Sequence, residues 1–182
     1  MKNIKKLEEY ALSDTDIQKI VAPHKTKIWN YPDLRTVGNL HDMFDDLGRA
    51  AILYDVISPY SGHWCGLLKH DNISTIEFFD PYGLKYDAEK KWLTPQKLQQ
   101  LGELEPYLTN LIDQARTQGY KIIWNKFKFQ SSKNNINTCG RWTGARLLFK
   151  DLNIDQFKEM VIKSGLAPDD FITRLTNEII HK

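Results

Sequence analysis

Residues 61–83 read SGHWCGLLKHDNISTIEFFDPYG, in which the pair Asp71-Asn72 separates two apolar runs. Both residue types tolerate the positive φ angles of a tight turn, and the flanking runs are rich in Trp, Leu, Ile and Phe. The pattern therefore predicts a β-hairpin whose strands are residues 64–70 and 73–80.

The turn also predicts which side chains of the hairpin meet. With a two-residue loop, His70 pairs with Ile73. Counting outward from that pair places His63 opposite Asp80 on the same face. Directly opposite Cβ atoms are about 4.5–5.5 Å apart, within reach of a hydrogen bond between imidazole and carboxylate. The hairpin thus predicts a base and the carboxylate that orients it.

A second candidate site lies in residues 137–149, which read NTCGRWTGARLLF. Apolar residues recur at helical spacing after Cys139, so this cysteine is predicted to open a helix, with Asn137 or Thr138 as its cap. Free backbone amides and the helix dipole at that end favour the thiolate, lowering a pKa that starts near ~8.5. Cys139 is therefore a candidate nucleophile.

Two amide donors are predicted beside the cysteine. Gly140 leaves its backbone N–H uncovered, and Gln130, after a predicted strand over residues 122–129, offers a side-chain amide. Acyl transfer through cysteine requires a nucleophile, a base, a group that orients the base and donors for the oxyanion. The sequence thus predicts a thiol enzyme.

The order of these residues along the chain resembles a known superfamily. His63 comes first and Cys139 last, as in the adenovirus maturation protease (adenain) and SUMO-specific protease superfamily of cysteine peptidases, whereas papain-like enzymes have the cysteine first. Three motifs, GHW at 62–64, IEFFDPYG at 76–83 and NTCGRW at 137–142, are most similar to capsid-maturation proteases of large DNA viruses, virophages and related mobile elements.

The resemblance implies a role for each of four residues. They are the nucleophile Cys139, the base His63, its orienter Asp80 and the oxyanion donor Gln130. The interval between Gln130 and Cys139 is longer than in the shortest versions of the family pattern, and an asparagine inside it is the alternative donor. Trp64 resembles a family tryptophan that packs near the site, and an ordinary core aromatic is the alternative interpretation.

The resemblance also implies a function, a cysteine endopeptidase that processes viral capsid precursor proteins. The alternative is an isopeptidase that removes ubiquitin or a ubiquitin-like protein, because relatives with the same triad do so. Thr138 stands where those relatives commonly have Asp before the Cys-Gly pair, which favours the first hypothesis. Acyl transfer from acetyl-CoA, the third hypothesis, ranks last because no CoA site is recognisable.

The fold class predicted from the whole chain is α+β, with one domain over residues 1–182. Besides the hairpin, strands are expected over residues 51–58 and 122–129. The hairpin strands are apolar on both faces, which predicts a central mixed β-sheet covered by helices on both sides. The resemblance implies the adenain-like cysteine protease fold.

Helix signals surround these strands. Residues 84–103 show no clear pattern, and a plain connection is favoured over a border of a substrate groove. Helices are predicted after the caps Ser13 and Asn39, from Pro106 to Gln118, from Cys139, after the cap Asp155 and from Pro168.

Composition bears on the compartment. No apolar run approaches the ~20 residues of a membrane span, and the start MKNIKKL lacks the apolar stretch of a signal peptide. Two cysteines make a poor disulfide framework, and a thiol nucleophile needs a reducing compartment. We expect no membrane partner and an intracellular protein, in the host cytoplasm or nucleus or packaged in a virion.

A formal net charge of +2 gives little reason to expect nucleic-acid binding from bulk electrostatics. A solvated face is the usual meaning of a local lysine cluster, and nucleic-acid contact is the alternative. Because adenain uses DNA as a cofactor, an activating DNA or peptide stays open. The cluster consists of Lys121, Lys126, Lys128 and Lys133.

Zinc is the main rival for the same side chains. The ligand set would be His63, Cys65, Asp80 and Cys139. A His and a Cys two apart on a strand are not usual structural spacing, and no Cys-x-x-Cys occurs. We therefore predict no metal and no cofactor, and we interpret Cys65 as a small buried hydrophobe.

Overall fold

The predicted hairpin forms the middle of a five-stranded sheet in a computed structural model that describes residues 3–58 and 61–181. The strands are β1 Lys27–Asn30, β2 Arg49–Ser58, β3 Ser61–His70, β4 Thr75–Phe79 and β5 Lys121–Trp124. They lie in chain order, with β2–β3 and β3–β4 antiparallel and the two outer pairs parallel. The predicted α+β class with a mixed sheet is confirmed.

The hairpin turn is wider than predicted. Asp71–Ile73 form a short 3₁₀ helix, and Ser74 takes a left-handed conformation with φ 45°. His70 therefore pairs with Thr75 instead of Ile73, which moves the register by two residues. Because side chains alternate with a period of two, this shift leaves every side chain on its predicted face.

Helices cover both faces of the sheet, as predicted. On one face, Leu67 and Phe78 pack in a core with α4, and on the other, Leu68 and Phe79 pack in a core with α5, α6 and α7. Burial on both faces explains why the hairpin runs are apolar throughout. The α-helices of the described residues are α1 Ile4–Glu8, α2 Asp14–Ile20, α3 Pro95–Leu101, α4 Tyr107–Thr117, α5 Cys139–Leu148, α6 Ile154–Lys163 and α7 Pro168–Ile180.

The helix signals were partly right. Ser13 forms a capping box with Asp16 at the start of α2, as its pattern predicts. Asn39 caps only a short 3₁₀ helix, Leu40–Met43, and Asn153 caps α6 where Asp155 was expected. In each case the Asn side chain bonds a free N–H of the first turn.

Two segments differ from the sequence-based expectation. β1 was not predicted, because four residues are too few to show an alternating pattern. The predicted strand over residues 122–129 ends at Trp124, and the chain from there to α5 is irregular. A membrane crossing would need a longer and more apolar helix than any in the described part of the chain.

Candidate active site

His63 and Asp80 lie where the ladder between β3 and β4 ends. The last pair of that ladder is Gly66 with Phe79, and Asp80 follows β4 directly. Nε2 of His63 is 2.8 Å from Oδ1 of Asp80, and the two residues are 4% and 0% exposed. The predicted contact forms although the residues are not directly opposite, because the shift of two kept them on one face.

Backbone groups hold the Asp80 carboxylate in place. The N–H of Tyr82 donates to Oδ1 at 2.8 Å, and the N–H of Leu84 donates to Oδ2 at 3.2 Å. The side chain of Asn125 accepts from the Asp80 N–H at 2.8 Å and donates to its carbonyl at 2.6 Å. The orienting group is therefore restrained through both its side chain and its main chain.

Cys139 is the first residue of α5, as predicted, and is buried. Neither expected cap acts through its side chain, because Thr138 Oγ1 donates to Asp169 at 2.6 Å and Asn137 Nδ2 donates to the carbonyl of Glu9 at 2.8 Å. The first-turn amides are thus not used by a side-chain cap. The backbone N–H of Gly140 is one of two that hydrogen-bond the Cys139 sulfur, and that of Trp64 is the other.

The thiol and the imidazole come from opposite faces of the sheet. His63 alternates with Cys65 and Leu67, which lie in the core on the α4 face, whereas α5 packs on the other face. The two side chains hydrogen-bond at the open end of the β3–β4 ladder. Because Asp80 occupies Nε2, Nδ1 is the ring nitrogen left for Cys139.

This arrangement favours an ion pair. Burial alone would lower the pKa of His63, but the hydrogen bonds with Asp80 and Cys139 outweigh it and raise the pKa to about 10. Burial would likewise raise the pKa of Cys139, but the hydrogen bond and charge of His63 and two backbone N–H groups lower it. A thiolate beside an imidazolium is the form of such a pair that attacks carbonyl carbon.

Cys139 lines one cavity, and two aromatic rings that pack against His63 line another. A cavity of about 790 Å³ is lined by Cys139 and Trp64, with the carboxylates of Asp14 and Asp33 among its other residues. A second cavity of about 480 Å³ is lined by Tyr82 and Trp92. The Tyr82 ring stacks on the His63 ring with centroids 4.9 Å apart, and the Trp92 ring meets the imidazole edge-on at 5.6 Å. One cleft thus reaches Cys139 itself, and the other reaches the rings that contact His63.

Trp64 combines both interpretations made from the sequence. Its ring belongs to the core on the α5 face, and the residue also lines the cavity beside Cys139. Its Nε1 donates to the carbonyl of Leu12 at 3.0 Å. A Cβ on Gly140 would lie 2.9 Å from Leu12 and 3.1 Å from Trp64, so only glycine fits after the cysteine without a shift.

Gln130 is buried in the irregular segment before α5. Its Nε2 donates to the carbonyl of Ile136 at 3.0 Å, and its Oε1 has no hydrogen-bond partner within residues 3–58 and 61–181. The amide thus bonds the loop that leads to Cys139. Its role as an oxyanion donor stays a prediction, as does that of the alternative asparagines, which are exposed: Asn134, Asn135 and Asn137.

One acidic residue of α7 hydrogen-bonds the irregular segment that precedes Cys139. Asp169 accepts hydrogen bonds from the N–H of Ser131 at 2.9 Å, from Thr138 Oγ1 and from Trp142 Nε1 at 3.1 Å. It therefore joins the loop before Cys139 to the first turn of α5. The sequence offered no signal for this, because Asp169 reads as an ordinary first-turn acid of α7.

Glu89 was also missed, because it stands alone in the lysine-containing stretch AEKKW. It is 2% exposed and lies on the 3₁₀ helix Ala88–Trp92, within the segment interpreted as a plain connection. That interpretation is wrong, since Glu89 contacts Asp80 and Trp92 contacts His63. Burial raises the pKa of Glu89 to about 8, and the charge of Asp80 adds to the effect.

Cys65 is buried as predicted, but it is more than a small hydrophobe. Its Sγ donates to Glu89 Oε1 at 3.3 Å. Burial raises its pKa well above the usual value, so the thiol keeps its proton. A buried thiol with a raised pKa is a poor nucleophile, so the geometry does not make Cys65 a competitor for the role predicted for Cys139.

In the part of the chain that the structure describes, four side chains with metal-binding chemistry lie together, and this set differs from the one considered from the sequence. Glu89 takes the place of Cys139, and the potential ligand atoms of His63, Cys65, Asp80 and Glu89 lie within 4.8 Å of one another. These atoms are hydrogen-bonded to each other, His63 to Asp80 and Cys65 to Glu89. We therefore interpret the cluster as a hydrogen-bond network, because zinc ligation needs a thiolate.

Comparison with known proteins finds one curated relative. The chain is 34% identical over 180 residues to the uncharacterized protein V9 of Sputnik virophage, covering 97% of this chain and 99% of V9. No protein-family model matches the chain.

Three solved structures share part of the chain path. The central domain of the uncharacterized Lpg1148 protein from Legionella pneumophila has 17% identity and a TM-score of 0.43, covering 94% of this chain and 99% of that one. The ASFV pS273R protease has 10% identity and a TM-score of 0.45, with coverage of 92% and 68%. The C-terminal Ulp1 protease domain, in complex with Smt3, the yeast ortholog of SUMO, has 16% identity and a TM-score of 0.42, with coverage of 100% and 83%.

Proposed function

This chain belongs to the same protein family as the uncharacterized protein V9 of Sputnik virophage, and we propose that it is a cysteine peptidase with Cys139 as its nucleophile. The observation that carries the proposal is the position of His63. One ring nitrogen is bound to a buried carboxylate, and the imidazole also hydrogen-bonds a thiol at a helix N-terminus. These are the groups, in the mutual contacts, that acyl transfer through cysteine needs.

The proposed reaction begins with attack by the Cys139 thiolate on the carbonyl carbon of the scissile peptide bond. The carbonyl π electrons move to oxygen, and backbone N–H groups near Cys139, with Gln130 as a proposed further donor, stabilise this oxyanion. The His63 imidazolium then gives its proton to the leaving amine as the C–N bond breaks, which leaves a thioester.

Water completes the proposed cycle. Neutral His63 takes a proton from water as the water oxygen attacks the thioester carbonyl. Collapse of the second tetrahedral intermediate breaks the C–S bond and releases the carboxylic acid. The thiolate and the imidazolium are restored together, with Asp80 holding the ring in one orientation throughout.

For the substrate, we propose a viral capsid precursor protein. The motif resemblance to capsid-maturation proteases supports this, and so does membership in a family that includes a virophage protein. One cleft lined by Cys139 and a second lined by Tyr82 and Trp92, whose rings contact His63, suit a peptide that continues past the scissile bond in both directions. The proposal extends to a host cytoplasmic or nuclear location or packaging in the virion, and to an activating peptide or DNA.

The first experiment is intact-mass labelling with two electrophilic probes, a short peptide ending in glycine and a ubiquitin-family protein with a reactive C-terminus. We expect the peptide probe to label wild type and Cys65→Ser but not Cys139→Ala. Labelling by the ubiquitin-family probe would instead support the isopeptidase hypothesis. A label that persists in Cys139→Ala would overturn the assignment of the nucleophile.

A further inference from the structure

Behind the triad carboxylate lies a second carboxyl group that the proposed mechanism does not use. Glu89 is buried, and one of its carboxyl oxygens lies within 4.8 Å of one from Asp80, close enough for the two carboxyl groups to interact. Two ionised carboxylates only accept hydrogen bonds, so a contact between two carboxyl groups requires a proton on one of them. The question is which residue carries it.

The hydrogen-bond donors around the two groups answer this. Asp80 receives three N–H donors, from His63 Nε2 and from the backbone of Tyr82 and Leu84. Glu89 Oε1 accepts a hydrogen bond from the weak Cys65 thiol donor. Within the described residues, no N–H or O–H group donates to Glu89 Oε2. The proton therefore belongs on Glu89, where it satisfies an otherwise unpaired buried oxygen.

We propose that Glu89 is a protonated carboxylic acid that donates to Asp80 and thereby positions the triad. This inference rests on the proposed peptidase function for its kinetic consequences only. Glu89 lines neither of the two clefts, and it acts through Asp80 and His63. Its proton supplies a fourth hydrogen bond to the orienting carboxylate and keeps a single negative charge behind the imidazole.

The environment of Glu89 supports a neutral acid at neutral pH. The titratable groups that face it are Tyr54 from β2, His63 and Cys65 from β3, and Asp80 after β4. Burial is the main cause that raises the Glu89 pKa to about 8. Above that pH, a second charge beside Asp80 breaks the carboxyl hydrogen bond and disturbs the triad before His63, whose pKa is raised to about 10, loses its proton.

The kinetic test compares Glu89→Gln with Glu89→Ala, and uses Glu105→Gln, at an exposed glutamate, as the matched control. The Gln amide can donate to Asp80 at every pH, so we expect kcat at pH 7 to stay within about twofold of wild type. We expect Glu89→Ala to lose about tenfold in kcat with KM little changed, because the donor to Asp80 is removed while the cleft lined by Cys139 is untouched. Wild type and Glu105→Gln should share a fall in kcat near pH 8 that Glu89→Gln lacks.

A second readout does not depend on peptidase activity. Infrared difference spectra of wild type against Glu89→Gln at pH 7 should contain the C=O stretch of a protonated carboxylic acid, and this band should vanish as pH rises through about 8. Absence of the band at pH 7 would overturn the proposal. Equal losses of kcat in Glu89→Gln and Glu89→Ala would also overturn it. If the band is present and no substrate is cleaved, only the proposed peptidase function fails.

Discussion

The guanidinium of Arg146 in α5 forms a two-point ion pair with the carboxylate of Glu77 in β4, and Nε and Nη2 each lie 2.8 Å from a carboxylate oxygen. Both side chains are buried, and Arg146 also donates to the carbonyls of Phe149 and Leu152. The pair connects the helix that begins with Cys139 to the strand that ends just before Asp80. It therefore sets the distance between the two elements that carry the site.

We expect Glu77→Gln to lower the free energy of unfolding by about 3–5 kcal/mol, because it leaves a buried guanidinium without its counter-charge. Denaturant titration would measure the loss. Asp113→Asn, which breaks the exposed Asp113–Arg116 pair, is the matched control and should change stability by less than about 1 kcal/mol. Equal effects of the two variants would contradict the anchoring role of Glu77.

The acid limb of stability should depend on the same residue. Burial would raise the pKa of Glu77, but the hydrogen bonds of His70 and Arg146 outweigh it and lower the pKa below 4.5. Its contribution is thus fully present above pH 4.5 and is lost as pH falls through the lowered folded value. The wild-type midpoint in denaturant should fall across this acid window, and Glu77→Gln should show a shallower fall.

A second buried glutamate, Glu103, should make the stability of the protein depend on pH in the opposite direction. Burial is the main cause that raises the pKa of Glu103 to about 7, while a hydrogen bond from the Asp55 N–H at 2.7 Å opposes it. Between pH 4.5 and about 7 the folded chain binds more protons than the unfolded chain, so stability should fall as pH rises. Thermal unfolding of Glu103→Gln should show a weaker fall than the Glu105→Gln control.

Asp80→Asn should lower the pKa of His63 from about 10, because burial then opposes the imidazolium with one fewer hydrogen bond to a charged partner. The His63 ring resonances in NMR spectra would report the pKa directly. The rate of Cys139 alkylation near neutral pH should fall as well, since the thiolate loses part of its counter-charge. An unchanged His63 titration would remove Asp80 from the triad.

Gln130→Ala should reduce the rate of peptide cleavage by about 10²- to 10³-fold if this amide stabilises the oxyanion. Alkylation by iodoacetamide forms no oxyanion, so the same variant should alkylate Cys139 at nearly the wild-type rate. A parallel loss in both rates would show that Gln130 acts by holding the loop at Ile136 instead.

The cavity beside Cys139 should favour basic substrates. Its charged lining residues, Asp14 and Asp33, are both acidic and exposed. We expect peptides with Lys close to the scissile bond to show a severalfold higher kcat/KM than their Gln counterparts, and to lose the advantage at high salt. The double variant Asp14→Asn, Asp33→Asn should remove the preference, whereas Asp151→Asn, at an exposed site outside the cavity, should keep it.

Local sequence pattern accounts for much of the site. The prediction that His63 contacts Asp80 is correct although the predicted hairpin turn was too short, because a register error of two residues leaves each side chain on the same face of its strand. The sequence also predicts that a helix starts at Cys139, because a helical spacing of apolar residues can be recognised within a short segment. The two hairpin strands are apolar on both faces, and this local pattern predicted that helices cover both faces of the sheet.

Only the tertiary structure decided which distant groups meet. The sequence by itself determined a hairpin that brings an imidazole to a carboxylate and a helix that begins with a thiol. It did not determine that the thiol crosses from the other face at the open end of the β3–β4 ladder, or that Glu89 and Asn125 reach Asp80. Those contacts depend on how helices and irregular segments pack against the sheet, and such packing leaves no periodic signal in the residues that make it.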